Sequence, residues 1–426
     1  MRVLIHGINF HPEPTGIGKY SGDMAAYLAA MGHEVRVVAA PPYYPDWRIG
    51  SQWRNGYSRS RWRGVDVWRA PLWVPTKPNG SKRVLHLLSF SLAAIPLLLR
   101  QLTWRPDVVM VVAPALACAP RAWLTARLTG ARAWMHVQDF EVDAAFQLGL
   151  LKSRGLRKRL INGVEHWLLR RFDRVSTISW RMLERTHEKG VPRERLVFFP
   201  NWVGDEATEP APCSGHYRQE LGIAPDAVVA LFSGTLGGKQ GLELLPEVAQ
   251  RLAHRPDIVF MICGDGVMKP ALEAACAGLP NVRLLPLQPA AKLKELLDTA
   301  DLHMLPQHPG AADLVMPSKL TGMLASGRPV VTTSERGTEL ARVVSRCGRV
   351  VEPGDAQAFA AAVVELADDA ALRRQLGHEA RLFAERHLVR SVVLGRLEHC
   401  LNACVARSSS GHELPADGPK SHLRGG

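Results

Sequence analysis

The sequence predicts an α/β protein made of two doubly wound, Rossmann-like domains facing each other across a cleft. Three observations lead there. Strand and helix patterns alternate in two separate series, one beginning at Arg2 and one at Val228, as parallel sheets require. Between them, residues 205–216 (DEATEPAPCSGH) have the Pro and acidic content of an interdomain linker. The charge changes at the same place: residues 1–205 hold 30 of the 53 Lys and Arg and 15 of the 40 Asp and Glu, a net of +15. Residues 206–426 hold the other 23 and 25, a net of −2. A chain of 426 residues is long enough for two full cores. The expected division is 1–205, 206–390, a last helix at 391–407 returning to the first domain, and a polar, disordered tail at 408–426.

Residues 2–8 read as a buried strand, followed by a loop carrying Thr15, Gly16, Gly18 and Lys19. A helix follows over 21–31, with Met24, Tyr27, Leu28 and Met31 at helical spacing, then a strand over 34–39. The loop is not GxGxxG, so a dinucleotide fingerprint is absent. Gly16 and Gly18 would let a ligand approach the backbone, or serve as plain turn glycines. After the short strand 65–68 comes an apolar run, 84–99, flanked by Lys82, Arg83 and Arg100. At sixteen residues it falls short of the roughly 20 needed to span a bilayer. It suits either a core helix or one lying in a membrane interface. Strands at 107–113 and 131–137 follow, and the second runs into His136, Asp139, Glu141 and Asp143. Open α/β sheets hold ligands at that end of a strand, although His136 also suits a core and the acids a helix cap. A basic helix (155–171) and strands at 174–179 and 196–201 complete the first series.

The second series gives a strand at 228–232 and a loop holding Gly234, Thr235, Gly237, Gly238, Lys239 and Gly241. A helix (242–252), a strand (258–263) and the turn Gly264-Asp265-Gly266 come next. Helices at 268–276 and 290–298 alternate with strands at 282–285 and 302–306. In the stretch 311–333 (AADLVMPSKLTGMLASGRPVVTT), Pro317 and Ser318 mark helix entry, with Ser318 the expected N-cap, and Gly327 ends the helix. A helix start exposes unpaired N–H groups with partial positive charge, so Ser318 and Lys319 make a seat for phosphate. An ordinary α-to-β connection is the plain alternative. Helices at 356–367, 370–387 and 391–406 close the chain.

Three turns, 233–241, 263–266 and 313–319, should meet at strand carboxyl ends in the cleft, and two carry a Lys. Together they describe a site for a nucleotide diphosphate, leaving the first domain for a second substrate. All eleven Trp lie between Trp47 and Trp202, within the basic half. That pairing suits an anionic membrane surface, and no nucleic-acid motif of known spacing appears. The seven Cys form no CxxC; Cys400 and Cys404, one helical turn apart, are a weak metal signal. The composition suits a reduced cytosolic chain, and Met1–Gly7 is too short for a signal peptide.

These residues resemble a known family. PEPTGIGKYS (12–21), PPYYPDW (41–47), HVQDFEVDAAFQLG (136–149), FPNWV (199–203), FSGTLGGKQGLE (232–243), ICGDG (262–266) and AADLVMPSKL…GRPVVTT (311–333) are similar to GT-B retaining glycosyltransferases of family 4. Within it they resemble the bacterial exopolysaccharide subgroup of colanic-acid fucosyltransferase-like proteins. The similarity covers nearly all of residues 1–405. Two positions depart. Gly322 stands where the family has a ribose-binding Glu, leaving Asp313 as a substitute, and Thr235 stands near the place of a phosphate-binding Arg.

The resemblance implies transfer of a sugar, such as fucose, from a nucleotide-diphosphate sugar such as a GDP-sugar to a polyprenyl-diphosphate-linked saccharide, with anomeric retention. It implies no metal or other cofactor, because Lys239, Lys319 and N–H groups of Gly234, Gly237 and Ser318 would neutralise the leaving diphosphate. Pro317, Gly264, Asp265 and Gly266 would complete the donor site. His136, Asp139 and Glu141 would orient the acceptor and stabilise positive charge on the sugar. The protein would sit on the cytoplasmic face of the plasma membrane. Two rivals remain: a GT-B nucleotide-sugar epimerase and a degenerate nucleotide-sugar-binding protein.

Overall fold

The computed structural model describes residues 1–14, 16–76, 80–113, 117–140, 156–209, 215–238, 240–308 and 317–409. Two sheets organise them. The first comprises β1 (Arg2–His6), β2 (Glu34–Ala39), β3 (Ser58–Trp62), β4 (Val65–Arg69), β5 (Val108–Ala113), β6 (Arg132–Val137), β7 (Arg174–Thr177) and β8 (Leu196–Phe198), in the order β3-β4-β2-β1-β5-β6-β7-β8. Only the β3–β4 pair is antiparallel among them. Its outer strand β3 (SRSRW), missing from the sequence reading, is hard to see because it is an exposed edge with no apolar alternation. The second sheet comprises β9 (Val228–Ser233), β10 (Ile258–Cys263), β11 (Val282–Leu285), β12 (Leu302–Leu305), β13 (Val330–Thr333) and β14 (Gly348–Val351), all parallel in the order β11-β10-β9-β12-β13-β14.

The order reverses at β1/β5 in the first sheet and at β9/β12 in the second. Loops leaving two such neighbouring strands diverge to opposite faces and open a crevice at the carboxyl ends.

In the first domain, helices α1 (Gly16–Ala30), α2 (Gly80–Ala93), α3 (Ile95–Gln101), α4 (Ala119–Thr129), α5 (Leu156–Leu169) and α6 (Trp180–Glu188) cover the sheet. Alternation along β1 assigns the faces: Val3 and Ile5 join the core under α1, whereas Leu4 joins the core under α2, α3 and α4. The second domain carries α7 (His216–Glu220), α8 (Leu244–Arg251), α9 (Lys269–Ala275), α10 (Leu293–Thr299), α11 (Ser318–Ala325), α12 (Glu339–Cys347), α13 (Ala356–Asp368) and α14 (Ala370–His387). The final helix, α15 (Arg390–Ser409), returns to the first domain, where Val393, Leu394, Leu397 and Leu401 join the core with Met24 and Leu28. The two crossings between domains are bonded to each other: Val203 N–H donates to Leu388 O at 2.9 Å and Arg390 N–H to Val203 O at 3.0 Å.

Three expectations change. Helix α1 begins at Gly16, not at residue 21, so Gly16, Gly18 and Lys19 lie in a helix rather than a loop. Gly18 is required there because a Cβ would strike the Glu13 side chain, which is buried beneath the helix start. Ser318 is the first residue of α11 and Pro317 holds the N-cap position without a side-chain cap. The apolar run is longer than it reads. α2 and α3 are joined through Ala94 into a helical segment, Gly80–Gln101, of 22 residues, long and apolar enough by length and composition to cross a membrane. Phe90, Ala94, Leu97 and Leu98 pack into the core, while Leu85, Leu88, Leu92 and Leu99 remain exposed. The segment is therefore core on one side and open on the other.

Candidate active site

The donor side is assembled at the β9/β12 switch point. β9 ends in the turn that begins at Gly234, and β12 leads toward α11, which starts with Ser318 and Lys319. Lys319 crosses between them. Its Nζ donates to Thr235 O at 3.1 Å and Gln240 Oε1 at 2.8 Å, and lies 4.2 Å from the centre of the Phe232 ring. Burial brings the ammonium down to about 8 from its ordinary 10.5. Gly234 makes the crossing possible: its φ is +135°, and a Cβ there would lie 2.6 Å from Lys319 Cε. Neither Thr235 nor Gln240 announces this role in sequence, because each meets Lys319 only through the fold.

Several glycines of the donor turns serve packing. Gly264 abuts the Gly234 carbonyl and Gly266 the Leu236 carbonyl, so the first two turns lie backbone against backbone. Gly241, with φ +61°, faces Gln307, where a Cβ would come within 2.8 Å of the carbonyl carbon. The Gly234 N–H, expected to face phosphate, donates to Cys263 O at 2.9 Å. Among the described residues, nothing lies within 4 Å of where a Cβ on Gly238 would be, and Gly237 meets Gln240 alone, at 3.9 Å. Asp265 spends its carboxylate on the Gly266 N–H at 2.8 Å. The first-turn amides of Ser318 and Lys319 have no acceptor within their own helix. Gly322 lies on the same helix face as Ser318, with Leu297 3.2 Å from where its Cβ would be. Thr15, Glu141, Lys239 and Asp313 lie outside the described residues.

Beside these turns is a cavity of about 140 Å³ whose lining includes Leu236, Ile262, Leu284 and Leu285 together with Lys269 and Glu273. Its apolar walls suit a planar ring, and the two charges supply a donor and an acceptor.

On the first domain, β6 delivers His136 and Asp139. His136 is buried, with Nδ1 3.0 Å from Ser176 Oγ, which also accepts the Trp134 Nε1–H at 2.9 Å, and its ring packs against Phe199. Desolvation holds its pKa down to about 3, so the imidazole is neutral. Asp139 keeps an exposed surface, yet desolvation by the residues packed around its carboxyl raises its pKa, opposed by the Phe140 amide and the Arg83 charge. Arg83 and the adjoining aromatic wall were not placed at this site from sequence: Arg83 stands 5.4 Å over Trp47, which packs on Tyr43 and His86. Glu13, also missed, is buried and accepts from Asn9 at 2.9 Å and from the Tyr43 and Tyr44 amides at 3.2 and 3.1 Å. It fixes the loop after β1 to the loop after β2. Among the described residues no group of three or more His, Cys, Asp or Glu is arranged to hold a metal.

Two parallel α/β domains whose strand ends face one cleft, with a lysine laid across a glycine turn, define a GT-B fold. Solved structures share it: HepE of Anabaena in complex with UDP superposes with a TM-score of 0.68 at 16% identity, covering 95% of this chain and all of the other. Sucrose-phosphate synthase from Thermosynechococcus elongatus gives 0.68 at 15%, covering 96% and 100%. Residues 15–202 match the glycosyl transferase 4-like domain and residues 227–369 the glycosyl transferases group 1 domain. The chain is 42% identical over 412 residues to WcaI of Escherichia coli K12, named as a colanic acid biosynthesis glycosyl transferase, covering 92% of this chain and 98% of that protein. It therefore belongs to the GT4-like, group 1 glycosyltransferases and is a transferase.

Proposed function

We propose that the protein transfers a sugar, with retention at the anomeric carbon, from a nucleotide-diphosphate sugar to a polyprenyl-diphosphate-linked saccharide in exopolysaccharide assembly. The observation that carries this reading is Lys319, a partly buried ammonium held across the Gly234 turn at a helix start. A diphosphate is the group such a cation and such amides would neutralise as it leaves, without a metal. Lys239, five residues after Gly234 in sequence, would add to it. The acceptor hydroxyl oxygen forms the new bond to the anomeric carbon as the bond to the diphosphate breaks. Its proton passes to the departing phosphate oxygen, and nucleoside diphosphate leaves.

His136 would act as a neutral hydrogen-bonding group, Asp139 as the charge facing the sugar, and Glu141 beyond it. Lys269 and Glu273 in the cavity lining favour a guanine base, whose O6 accepts while N1–H and N2–H donate side by side to one carboxylate. That supports a GDP-sugar, with fucose as the sugar suggested by the subgroup. The name of WcaI supports the exopolysaccharide setting. A lipid acceptor is supported by the open face of the Gly80–Gln101 segment, since exposed Leu85, Leu88, Leu92 and Leu99 suit the acyl boundary and Lys82 and Arg83 the phosphates. Arg83, close enough to Asp139 to act on its charge, would bring those phosphates to the cleft. The protein would then work at the cytoplasmic membrane face.

Thermal melting with GDP, UDP and ADP, each with chelator present, tests the donor side: GDP should raise the midpoint most. Incubation of a GDP-sugar with and without lipid-linked saccharide tests the rest. Glycolipid formed only with acceptor supports the reading; an altered nucleotide sugar formed without acceptor would make the protein an epimerase.

A further inference from the structure

The two halves of the site sit on different domains, and the bonded crossings at Val203 and Arg390 are not the only contact between those domains. We propose that Glu339 is the positioning residue that sets it, by capping a helix of the opposite domain with its carboxylate. Glu339 is the first residue of α12 in the second domain and is only 4% exposed. Its Oε1 accepts the Trp180 N–H at 3.3 Å and its Oε2 the Arg181 N–H at 3.1 Å, the first two amides of α6 in the first domain. Arg342 approaches Oε2 at 2.9 Å.

The arrangement is unusual because both helices already have caps of their own. Ser179 Oγ accepts the Met182 N–H at 3.1 Å, and Thr338 Oγ1 accepts the Ala341 N–H at 3.1 Å. Glu339 is thus not needed to begin either helix. Two helix N-termini, each carrying a partial positive charge, face each other across the cleft, and bringing them together without a counter-charge is unfavourable. The buried carboxylate between them turns that repulsion into attraction, and two amides give it direction.

The position is also telling. α6 follows β7, the neighbour of β6, which carries His136; the register pairs His136 with Ser176. α12 follows β13, the neighbour of β12, whose loop leads to Lys319. The contact therefore lies one strand away from the reacting groups on each side. The loop before α12 is tied to the donor side as well, since Gln307 N–H donates to Thr333 Oγ1 at 2.6 Å and Ser334 Oγ meets Thr338 Oγ1 at 2.6 Å.

Hydrogen exchange on the full chain tests this, with Glu339→Gln keeping the shape and removing the charge. The Trp180 and Arg181 amides should exchange at least about tenfold faster than in the parent. Those from Glu184 to Glu188 in α6 should stay protected. Small-angle scattering should show a larger radius of gyration, while the midpoint shift caused by GDP or UDP stays that of the parent. Unchanged exchange at Trp180 and Arg181 would overturn the proposal. So would loss of protection throughout α6, or a weakened nucleotide response, because each would place the role of Glu339 inside one domain. Should the Gln variant fail to fold, Glu339→Asp keeps the charge but withdraws it by one methylene, and the same readouts apply with the same outcomes.

Discussion

Replacing Lys319 with Met should make the protein more stable and less active at once. Met keeps the length of the stem that passes Gly234 and Phe232 and removes only the ammonium. In the folded chain that amine titrates at about 8, against 10.5 when unfolded. Below pH 8 it is charged in both states and the full cost of burying it is present. Between 8 and 10.5 the unfolded chain binds the extra proton, so stability rises with pH, and above 10.5 the cost is gone. The shift corresponds to roughly 3 kcal/mol at neutral pH. Partial solvent contact and the lost bonds to Gln240 and Thr235 reduce the net gain to about 1–2 kcal/mol, or a rise of several degrees in Tm. The same change should remove roughly 3 kcal/mol of transition-state stabilisation, as loss of a donor facing a developing anion does. Thermal melts from pH 7 to 10 check the first half: the parent should approach the variant as pH rises. GDP and UDP titrations check the second, and parent binding should weaken above pH 8 as the ammonium loses its proton. A variant that melts below the parent at pH 7, or keeps the parent's nucleotide response, would refute the reasoning.

Gly241→Ala should cost about 1–3 kcal/mol, since the new Cβ meets Gln307 at a residue with φ +61°; an unchanged Tm would contradict this. Asp139→Asn should lower turnover far more than nucleotide affinity, measured by steady-state rates beside nucleotide titration; equal losses in both would move Asp139 to the donor side. His136 is held neutral, so its ring signals in NMR should not titrate between pH 5 and 8, and an inflection near 6.5 would mean it is solvated. Leu85→Asp with Leu92→Asp should abolish sedimentation with anionic vesicles at low salt, and parent binding should weaken as salt rises; retained binding would place the contact elsewhere.

Much of this architecture follows from local sequence. The apolar runs of β5, β9 and β10 are buried on both faces, so none shows the alternation of a half-exposed strand. Gly32, Gly130 and Gly327 stop helices, because only a residue without a side chain takes the left-handed turn there at no cost. Lys319 could be picked out because Pro317 fixes where its helix begins.

Tertiary structure decided the rest, because it depends on what stands opposite each residue. Gly264 and Gly266 look like openings for a ligand until their neighbours are seen to be backbone of the Gly234 turn. Gly16 and Gly18 look like a loop because glycine is a poor helix residue, yet Glu13 fills the space beside Gly18 and the helix starts there. Leu85 and Leu98 cannot be told apart in composition; one faces outward and the other lies in the core, because only one side of α2 and α3 meets the sheet. Glu339, in sequence an acidic first-turn residue that complements its own helix dipole, gives its oxygens to amides 158 and 159 positions away. Local pattern specifies strands, helix ends and the cation at the turn because those interactions are short in sequence. Partners across a cleft are set by how two domains dock, and no periodicity within either one encodes them.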